Sequence, residues 1–422
     1  MSVCCWGFAV AQSVPVAGAL PSITLESLEG DVPKAPGMLA EQSYIVAALD
    51  EVAEAKAKAG LDFTYENSIG PAAIIVPRET DEHVFHYEQS AGISVPILGA
   101  KFVQDVAIID AQERAAVAKI TYDEQLRHRI AGLRDSYSQY WQYDAQAQIA
   151  SAYATTEQVA LKQAEGLRKA GFWTNYNLFD FFVMLQKVKS EETELEASRQ
   201  AQLARIASAV GYELQPFTSV EPAFFKACMP SRDRAVTSAY DVDATLAILK
   251  AQVAQVNAEL ARVRGSSVDA RIQTDAGSQT DINYQVSGYD LKTGVAVILP
   301  GHARAEEQAR KAAFTAQLEG LRFDQQQRRV ELASEVDAQM ADISSAQTAL
   351  AQATAEQEAR QGDVEKAIVR YDTIRQPAAE AFDDVQQNRD NLYAAQRAVL
   401  EASGAVLSAA NRLLEIAPQA CP

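Results

Sequence analysis

The sequence predicts a mainly helical protein made of two tandem copies of one unit, in which two β-strands lead into a very long helix. The junction Gly92–Gly99 (GISVPILG) is repeated about two hundred residues later as Gly294–Gly301 (GVAVILPG). Each junction opens a long stretch without proline, Lys101–Lys169 in one case and Ala303–Thr373 in the other. Gln, Ala and Glu are abundant, whereas the 422 residues include only 20 Gly and 14 Pro, a composition that favours long helices.

Both copies are predicted to run helix, strand, strand, long helix, turn and return helix. The first copy spans residues 12–211, with strands at about 61–76 and 83–98, a long helix at about 101–169 and a return helix at about 178–210. The second copy spans residues 241–416, with strands at about 266–276 and 282–299, a long helix at about 303–373 and a return helix at about 378–416. Residues 212–240 are predicted to connect the copies, and residues 417–422 to form a C-terminal tail.

The strands are predicted from a period of two, which places apolar side chains on one face and polar side chains on the other. The apolar sets are Leu61, Phe63 and Tyr65 in the first copy, and Val268, Ala270 and Ile272 in the second. The polar segments Arg78–Asp81 and Gly277–Asp281 are predicted to be the hairpin loops. Such strands suit either a sheet packed on a core or a barrel in lipid. Because four strands cannot close a membrane barrel, the lipid-facing reading requires oligomerisation, and three copies would supply twelve strands.

The two long helices carry a thin apolar stripe. Leu332, Val336 and Met340 recur at helical spacing, while most neighbouring residues are Gln, Glu, Arg and Ser. A stripe of this width favours side-by-side packing of the coiled-coil kind around a wet lumen over burial in a globular core. At 1.5 Å per residue, each helix would extend on the order of 100 Å.

Composition excludes several classes of function. Asp and Glu total 56 against 38 Lys and Arg, giving a net charge of −18, which argues against nucleic acid as a partner. The sequence has neither a Gly-rich phosphate loop after a strand nor a serine nucleophile elbow, so no catalytic or cofactor site is predicted. No metal site is predicted either, because His83 and His86 would point to opposite faces of a strand.

The N-terminus and the four cysteines leave alternatives open. The apolar stretch that ends at Ala9-Val10-Ala11 predicts an export signal, residues 1–11, cleaved before Gln12; a buried apolar N-terminus is the alternative, since a basic start is missing. After cleavage Cys228 and Cys421 would form an even pair that can be disulfide-bonded in an oxidising compartment, or they are two free thiols. Lipidation of Cys4 or Cys5 is a weaker idea, because the apolar stretch before them is short.

From about Thr24 to Ile416 the sequence resembles the TolC family of outer-membrane efflux proteins. The duplicated junction and the return helix Leu392–Leu414 carry the resemblance. It implies a homotrimer with a twelve-stranded barrel in outer-membrane lipid and a periplasmic α-barrel of coiled-coil helices. It also implies a passive conduit of a tripartite efflux or type I secretion-like export system, which engages a periplasmic adaptor and an inner-membrane pump and has no enzyme activity. A soluble periplasmic coiled-coil adaptor or scaffold is the alternative, although an adaptor generally has one helical hairpin and not two tandem copies.

The resemblance also implies roles at the two helix turns, where family members narrow the lumen with rings of acidic residues. Asp180 and Asp384 match these positions best, and Asp383 and Asp372 are their neighbours. The alternative is that these acids lie on solvated helix starts, where the helix dipole favours them. Tyr371 and Arg375 are candidates for locking the closed tip by hydrogen bonds. Both turns depart from the family pattern: the first, around Ala170–Tyr176, is extended, and the second lacks a glycine.

The stretch Phe172–Phe182 is the most aromatic in the chain. Phe172, Trp173 and Tyr176 are candidates for contact with a partner protein, because aromatic side chains anchor interfaces. The alternative is that they pack the turn against the following helix.

Overall fold

A computed structural model describes residues 21–74, 82–222, 230–281, 286–373 and 378–420. The helices are α1 (Leu25–Glu29), α2 (Pro36–Lys58), α3 (Ala100–Lys169), α4 (Asn175–Val210), α5 (Arg232–Val242), α6 (Ala244–Arg262), α7 (Ala303–Thr373) and α8 (Ala378–Ile416), with a 3-10 turn at Val32–Lys34. The strands are β1 (Ser22–Ile23), β2 (Asp62–Ile74), β3 (Glu82–Pro96), β4 (Thr218–Ser219), β5 (Asp269–Asp281) and β6 (Val286–Ile298). None of the described helices is long and apolar enough to cross a membrane.

The element order is duplicated, which confirms the predicted tandem architecture. The series α2, β2, β3, α3, α4 is followed, after a connection, by α6, β5, β6, α7, α8. Matching elements have similar lengths: the long helices contain 70 and 71 residues, and the return helices 36 and 39. The lack of proline, together with residues of high helix propensity, lets each long helix run without a break.

One hydrogen bond recurs at the same place in both copies. Gly60 and Gly265 follow the short helices α2 and α6, and both have positive φ, 123° and 78°. Glycine adopts this conformation without the steric cost that a side chain would add. The backbone N–H of Gly60 donates to Gln104 Oε1 at 3.2 Å, and that of Gly265 donates to Glu307 Oε2 at 3.1 Å. Gln104 and Glu307 each lie in the second turn of a long helix, so the duplication extends to individual contacts.

The four long strands form one antiparallel sheet in the order β2-β3-β5-β6. The ladder between β3 and β5, which pairs Ile93 with Thr274, joins the two copies. The predicted second hairpin loop is wrong, because Gly277–Asp281 form the end of β5 and pair with β6 as far as Val286. This segment is polar, but partners on both sides satisfy its backbone groups, so polarity does not prevent it from being a strand.

The chain folds as two compact units, each contributed by several segments. The first unit contains the described residues of 21–39, 125–242 and 332–420. In it, the hydroxyl of Tyr140 donates to Phe217 O at 2.8 Å and accepts from Phe217 N at 3.2 Å, which fastens the connecting segment to α3. Residues at the C-terminal end also pack here: Ala417 and Ala420 are buried against Ala235 and Ala239 of α5. Helix α5 and this packing were not predicted from the connecting segment and the tail.

The second unit contains the described residues of 40–124 and 243–331, including the sheet. Polar contacts hold its short helices against its segments of the long ones. Glu51 of α2 accepts from Arg114 of α3 at 3.0 Å. At the start of α6, Asp243 accepts from Leu246 N at 2.7 Å as the helix N-cap and pairs with Arg328 of α7 at 2.9 Å.

Candidate functional site

The sheet exposes its apolar face. On this face Phe63 of β2 lies beside Ile93 of β3, and Tyr65 beside Ala91. The exposed fraction is 75% for Phe63 and 68% for Tyr65, and Leu291 of β6 is 72% exposed. In the central strand β3 the exposed residue Ile93 precedes Ser94, which is only 7% exposed and lies on the other face. The usual relation of a soluble protein, apolar side in and polar side out, is thus reversed in this strand.

The opposite face of the sheet is polar and mainly acidic. Thr64, Gly92, Asp275 and Lys292 lie in one row across the four strands. Among the residues whose side chains are described, the charged members of this face are Asp62, Glu66, Glu88, Asp269, Asp275, Asp290, Arg271 and Lys292. Carboxylates therefore outnumber cationic groups, so the face attracts cations and repels anions.

The turn between α3 and α4 is built by three local features. Gly171, with φ of 81°, ends α3 in a conformation that favours glycine. Thr174 then caps α4: its hydroxyl accepts from Asn177 N at 3.2 Å, while the Asn177 side chain accepts from Thr174 N at 3.2 Å. Between them Trp173 folds inward, with its ring centroid 5.2 Å from that of Phe382 in α8. The turn is therefore fixed to α8 by an aromatic contact.

Several other aromatic side chains of this turn point to solvent. Phe172 is 60% exposed and Tyr176 is 72% exposed, and Phe179 of the same stretch is 61% exposed. Isolated exposed apolar side chains are ordinary, but these three lie within eight residues of sequence, at the turn and in the first turns of α4. In the described part of the chain, more than half of each of these three side chains is exposed.

At the start of α8, Asp384 joins the end of α7. Its carboxylate lies 3.5 Å from Arg370 Nη1 and accepts from Asn388 Nδ2 at 3.1 Å. Burial, and secondarily the nearby carboxylate of Glu380, raise the pKa of Asp383. Tyr371 packs against Phe382 with ring centroids 6.4 Å apart. The end of α7 and the start of α8 are thus linked by one ion pair and one aromatic contact.

Comparison with solved structures shows which proteins have this architecture. The outer-membrane channel OprN aligns with a TM-score of 0.71 at 13% identity, over 93% of this chain and 89% of its own. The outer membrane protein VceC from Vibrio cholerae aligns with a TM-score of 0.70 at 13% identity, over 93% of this chain and 95% of its own. CusC, whose structures concern transmembrane channel formation, aligns with a TM-score of 0.75 at 11% identity, over 97% of this chain and 95% of its own.

The chain has the outer-membrane channel fold. No family model and no curated protein matches the sequence. The structural matches confirm, at the level of the fold, the resemblance that the duplicated junctions suggested.

In this channel fold the predicted gate and tip residues fall in different places. Asp180 is exposed in the first turns of α4, and Asp384 is half-buried beside Arg370. Asp372 lies in the last turn of α7, but its side chain is outside the described residues, as are Arg375, Cys228 and Cys421. The structure therefore brings only Asp384, Asp383 and Tyr371 into one described neighbourhood, on the two sides of the α7–α8 turn.

Of the three predicted partner-contact residues, one is an interior residue of the channel fold. Trp173 is 8% exposed and belongs to an apolar cluster with Ala160, Ala164, Phe181 and Phe382. The alternative, packing of the turn against the following helix, accounts for the contact of Trp173 with Phe181 of α4 but not for its contact with Phe382 of α8. Phe172 and Tyr176 remain on the surface.

The sequence analysis did not single out two features of the first unit. One is Arg370, which pairs with the predicted gate residue Asp384. The other is Glu157, a fully buried carboxyl in the C-terminal third of α3, a helix in which Asp144 is the other acidic residue that the structure shows as buried. Its neighbours Ala154 and Ala160, which flank it at helical spacing, were the only available signal that this position faces inward. Among the described residues no group of three or more His, Cys, Asp or Glu is placed to hold a metal ion.

Proposed function

We propose that this chain is the outer-membrane component of a tripartite export system and acts as a passive conduit from the periplasm to the exterior. The observation that carries the proposal is the amphipathic sheet, whose exposed apolar face includes Phe63, Tyr65 and Leu291. An exposed apolar patch of this size on strands is disfavoured in water, and lipid or another protein must cover it.

In the proposed assembly three copies place their four strands side by side as a twelve-stranded barrel. Barrel closure removes the two free edges, β2 and β6, that a single sheet leaves unpaired. The apolar face would contact outer-membrane lipid, and the acidic face would line the lumen. The long helices α3, α4, α7 and α8 would form the periplasmic α-barrel, with no chemistry performed on the exported substance.

The proposed partners are a periplasmic adaptor and an inner-membrane pump. The exposed aromatic side chains of the α3–α4 turn, Phe172 and Tyr176, support an adaptor contact there, since aromatic groups supply much of the binding energy of protein interfaces. Type I secretion is the more specific form of the proposal, in which the exported substance is a protein.

The alternative function is a soluble periplasmic coiled-coil adaptor or scaffold. The test is to extract the full chain from membranes in detergent, image it by negative stain and record currents in planar bilayers. The proposed function predicts threefold tubes on the order of 100 Å or longer, as the helix rise requires, and discrete single-channel steps. If the protein is released without detergent as monomeric or dimeric rods and gives no conductance, the channel function is wrong and the scaffold function is supported.

A further inference from the structure

One carboxyl group lies inside the helical part of the first unit without contact with water. Glu157 is in α3, and its side chain is 0% exposed. Alanines one turn away on either side, Ala154 and Ala160, are 5% and 1% exposed, so this face of α3 is interior. An ionised carboxylate in such a place is strongly disfavoured unless charges or hydrogen bonds compensate for the lost hydration.

The compensation available to ionised Glu157 is incomplete. The nearest cation is Arg389 of α8, whose Nη1 is 3.7 Å from Glu157 Oε1, longer than a hydrogen bond. The next residue, Asp390, carries a like charge, although the hydroxyl of Tyr153 donates to it. The environment therefore does not hold Glu157 firmly in its charged form.

The side-chain amide of Gln386 suits both forms of Glu157. One polar atom of this amide contacts both carboxylate oxygens of Glu157, at 3.1 Å from Oε1, and Gln386 is only 7% exposed. If Glu157 is ionised, the amide NH2 donates to the carboxylate; if Glu157 is protonated, its O–H donates to the amide oxygen. A half-turn of the amide exchanges these two bonds with no movement of the helices, because the two ends of the amide have nearly the same shape.

We propose that Glu157 is a proton-binding site that regulates the contact between α3 and α8, which is firm when Glu157 is protonated and weakened when it is ionised. The proposal goes beyond the channel function and does not depend on it. The proton joins a carboxylate oxygen of Glu157, and the neutral acid then remains buried with its hydrogen bond to Gln386 satisfied.

Some features around the site raise the pKa of Glu157, and one neighbouring group lowers it. Burial raises the pKa of Glu157 to about 7, against a lowering by Arg389 and a further raising by Asp390. Burial also raises the pKa of Asp390, which the bond from Tyr153 on α3 partly offsets. On α4, Lys187, Glu191 and Glu194 line a cavity together with Tyr153 and Asp390. Glu191 is engaged there by two α8 groups, the hydroxyl of Tyr393 at 2.9 Å and the guanidinium of Arg397.

The direction of the pH effect follows from proton linkage. Glu157 binds its proton more tightly in the folded chain, where its pKa is about 7, than in an unfolded chain at 4.5. The folded state therefore holds more protons between these two values, and the contribution of this group to stability falls as pH rises from about 4.5 to 7. Acidification within this window tightens the α3–α8 contact.

The test compares the full-length protein in detergent with Glu157→Gln, which imitates the protonated form. Glu165→Gln, an exposed position on the same helix, is the matched control. We expect Glu157→Gln to raise the unfolding midpoint by on the order of 3 °C at pH 8 and to leave it unchanged at pH 5. Infrared difference spectra between pH 6 and pH 8 should show a buried protonated carboxyl in the parent protein and in Glu165→Gln, but not in Glu157→Gln.

The infrared experiment also works if Glu157→Gln does not fold. Arg389→Gln removes the cation that pairs with Glu157 and should move the titration of the carboxyl band upward by about 1 pH unit. A parent protein without a carboxyl band that titrates between pH 6 and pH 8, or a band that persists in Glu157→Gln, would overturn the proposal. Neither readout requires the chain to conduct ions, so failure of the proposed channel is distinguishable.

Discussion

At the residue scale, Asp384 shows how a predicted site acquires a neighbour that the sequence did not reveal. Its carboxylate lies 3.5 Å from Arg370 Nη1, and the two side chains are 43% and 64% exposed. An ion pair as exposed as this contributes little to stability. Its proposed role is therefore electrostatic: Arg370 offsets the charge that Asp384 would present to a lumen.

Replacing Asp384 is expected to change ion permeation. In the proposed trimer Asp384→Ala removes three carboxylates at one level, so single-channel conductance should rise or block by divalent cations should disappear. Arg370→Gln is the matched variant, because it keeps the carboxylate and removes its cation, and it should strengthen the block. Both are measured in planar bilayers. Unchanged conductance and unchanged block in Asp384→Ala would contradict the proposed role of Asp384 in the gate.

Asp243 provides a residue-scale prediction about stability. Its side chain caps α6 at Leu246 N and pairs with Arg328, so Asp243→Ala should lower the free energy of unfolding by about 2 kcal/mol. Asp243→Asn keeps the capping oxygen and loses the charge, and should cost about half as much. Thermal unfolding measures both, with the exposed Asp241→Ala as the control. Equal losses in Asp243→Asn and Asp243→Ala would show that the cap contributes nothing.

The first turn illustrates what residue patterns could and could not predict. The aromatic stretch was recognised, but which rings face inward depends on the path of the turn, and only the structure shows Trp173 against Phe382. The return helix begins at Asn175, earlier than the predicted start at about 178. Its capping box is hard to recognise in the sequence, because Asn177 occupies the position where Glu or Gln is usual. Contacts distant in sequence, such as Glu157 with Gln386, leave no periodic signal.

At the element scale, the strands are the part of the fold that alternation predicted best. The period of two placed Phe63 and Tyr65 on the apolar face and Thr64 on the polar face, as the register of the sheet has them. The same reasoning fails at Gly277–Asp281, where the polar run predicts a loop but the structure has the end of β5. Polarity separates strand from loop only where the backbone lacks partners, and here β3 and β6 supply them.

The two faces of β2 predict opposite responses to the same substitution. Phe63→Arg would place a cation on the proposed lipid face, at a cost of about 2–4 kcal/mol near the bilayer midplane and less near its edges. Thr64→Arg would place the same group on the polar face, in the row that contains Asp275. We expect Phe63→Arg to reduce the amount of trimer recovered from outer membranes, and Thr64→Arg to leave it near normal. Equal recovery of both variants would contradict the assignment of the faces.

At the scale of the whole molecule, charge has the largest predicted consequence. The chain carries a net charge of −18, and the polar face of the sheet has more carboxylates than cations. A wide lumen lined in this way should favour cations over anions, and salt should screen the preference, since the Debye length falls to about 3 Å at 1 M.

Reversal potentials in a KCl gradient test this expectation. The parent channel should be cation-selective at low ionic strength and nearly unselective at about 1 M. Asp275→Asn combined with Asp290→Asn should reduce the selectivity, because both side chains lie on the polar face. Asp241→Asn, an exposed position outside the sheet, is the control. Anion selectivity in the parent, or no effect of the double substitution, would contradict the assigned lumen.

Because the fold is duplicated, the two halves of one chain can be compared with each other. Both halves have the same order of elements within one polypeptide, so their matching contacts can be compared directly. Glycine is kept at Gly60 and Gly265, whereas its acceptor is an uncharged amide in Gln104 and a carboxylate in Glu307. The hydrogen bond is thus present in both halves, although the acceptor residue differs. A hydrogen bond to an ionised acceptor is the stronger kind, so the second half is more firmly closed at this corner, and the first half should open there first when the chain is warmed.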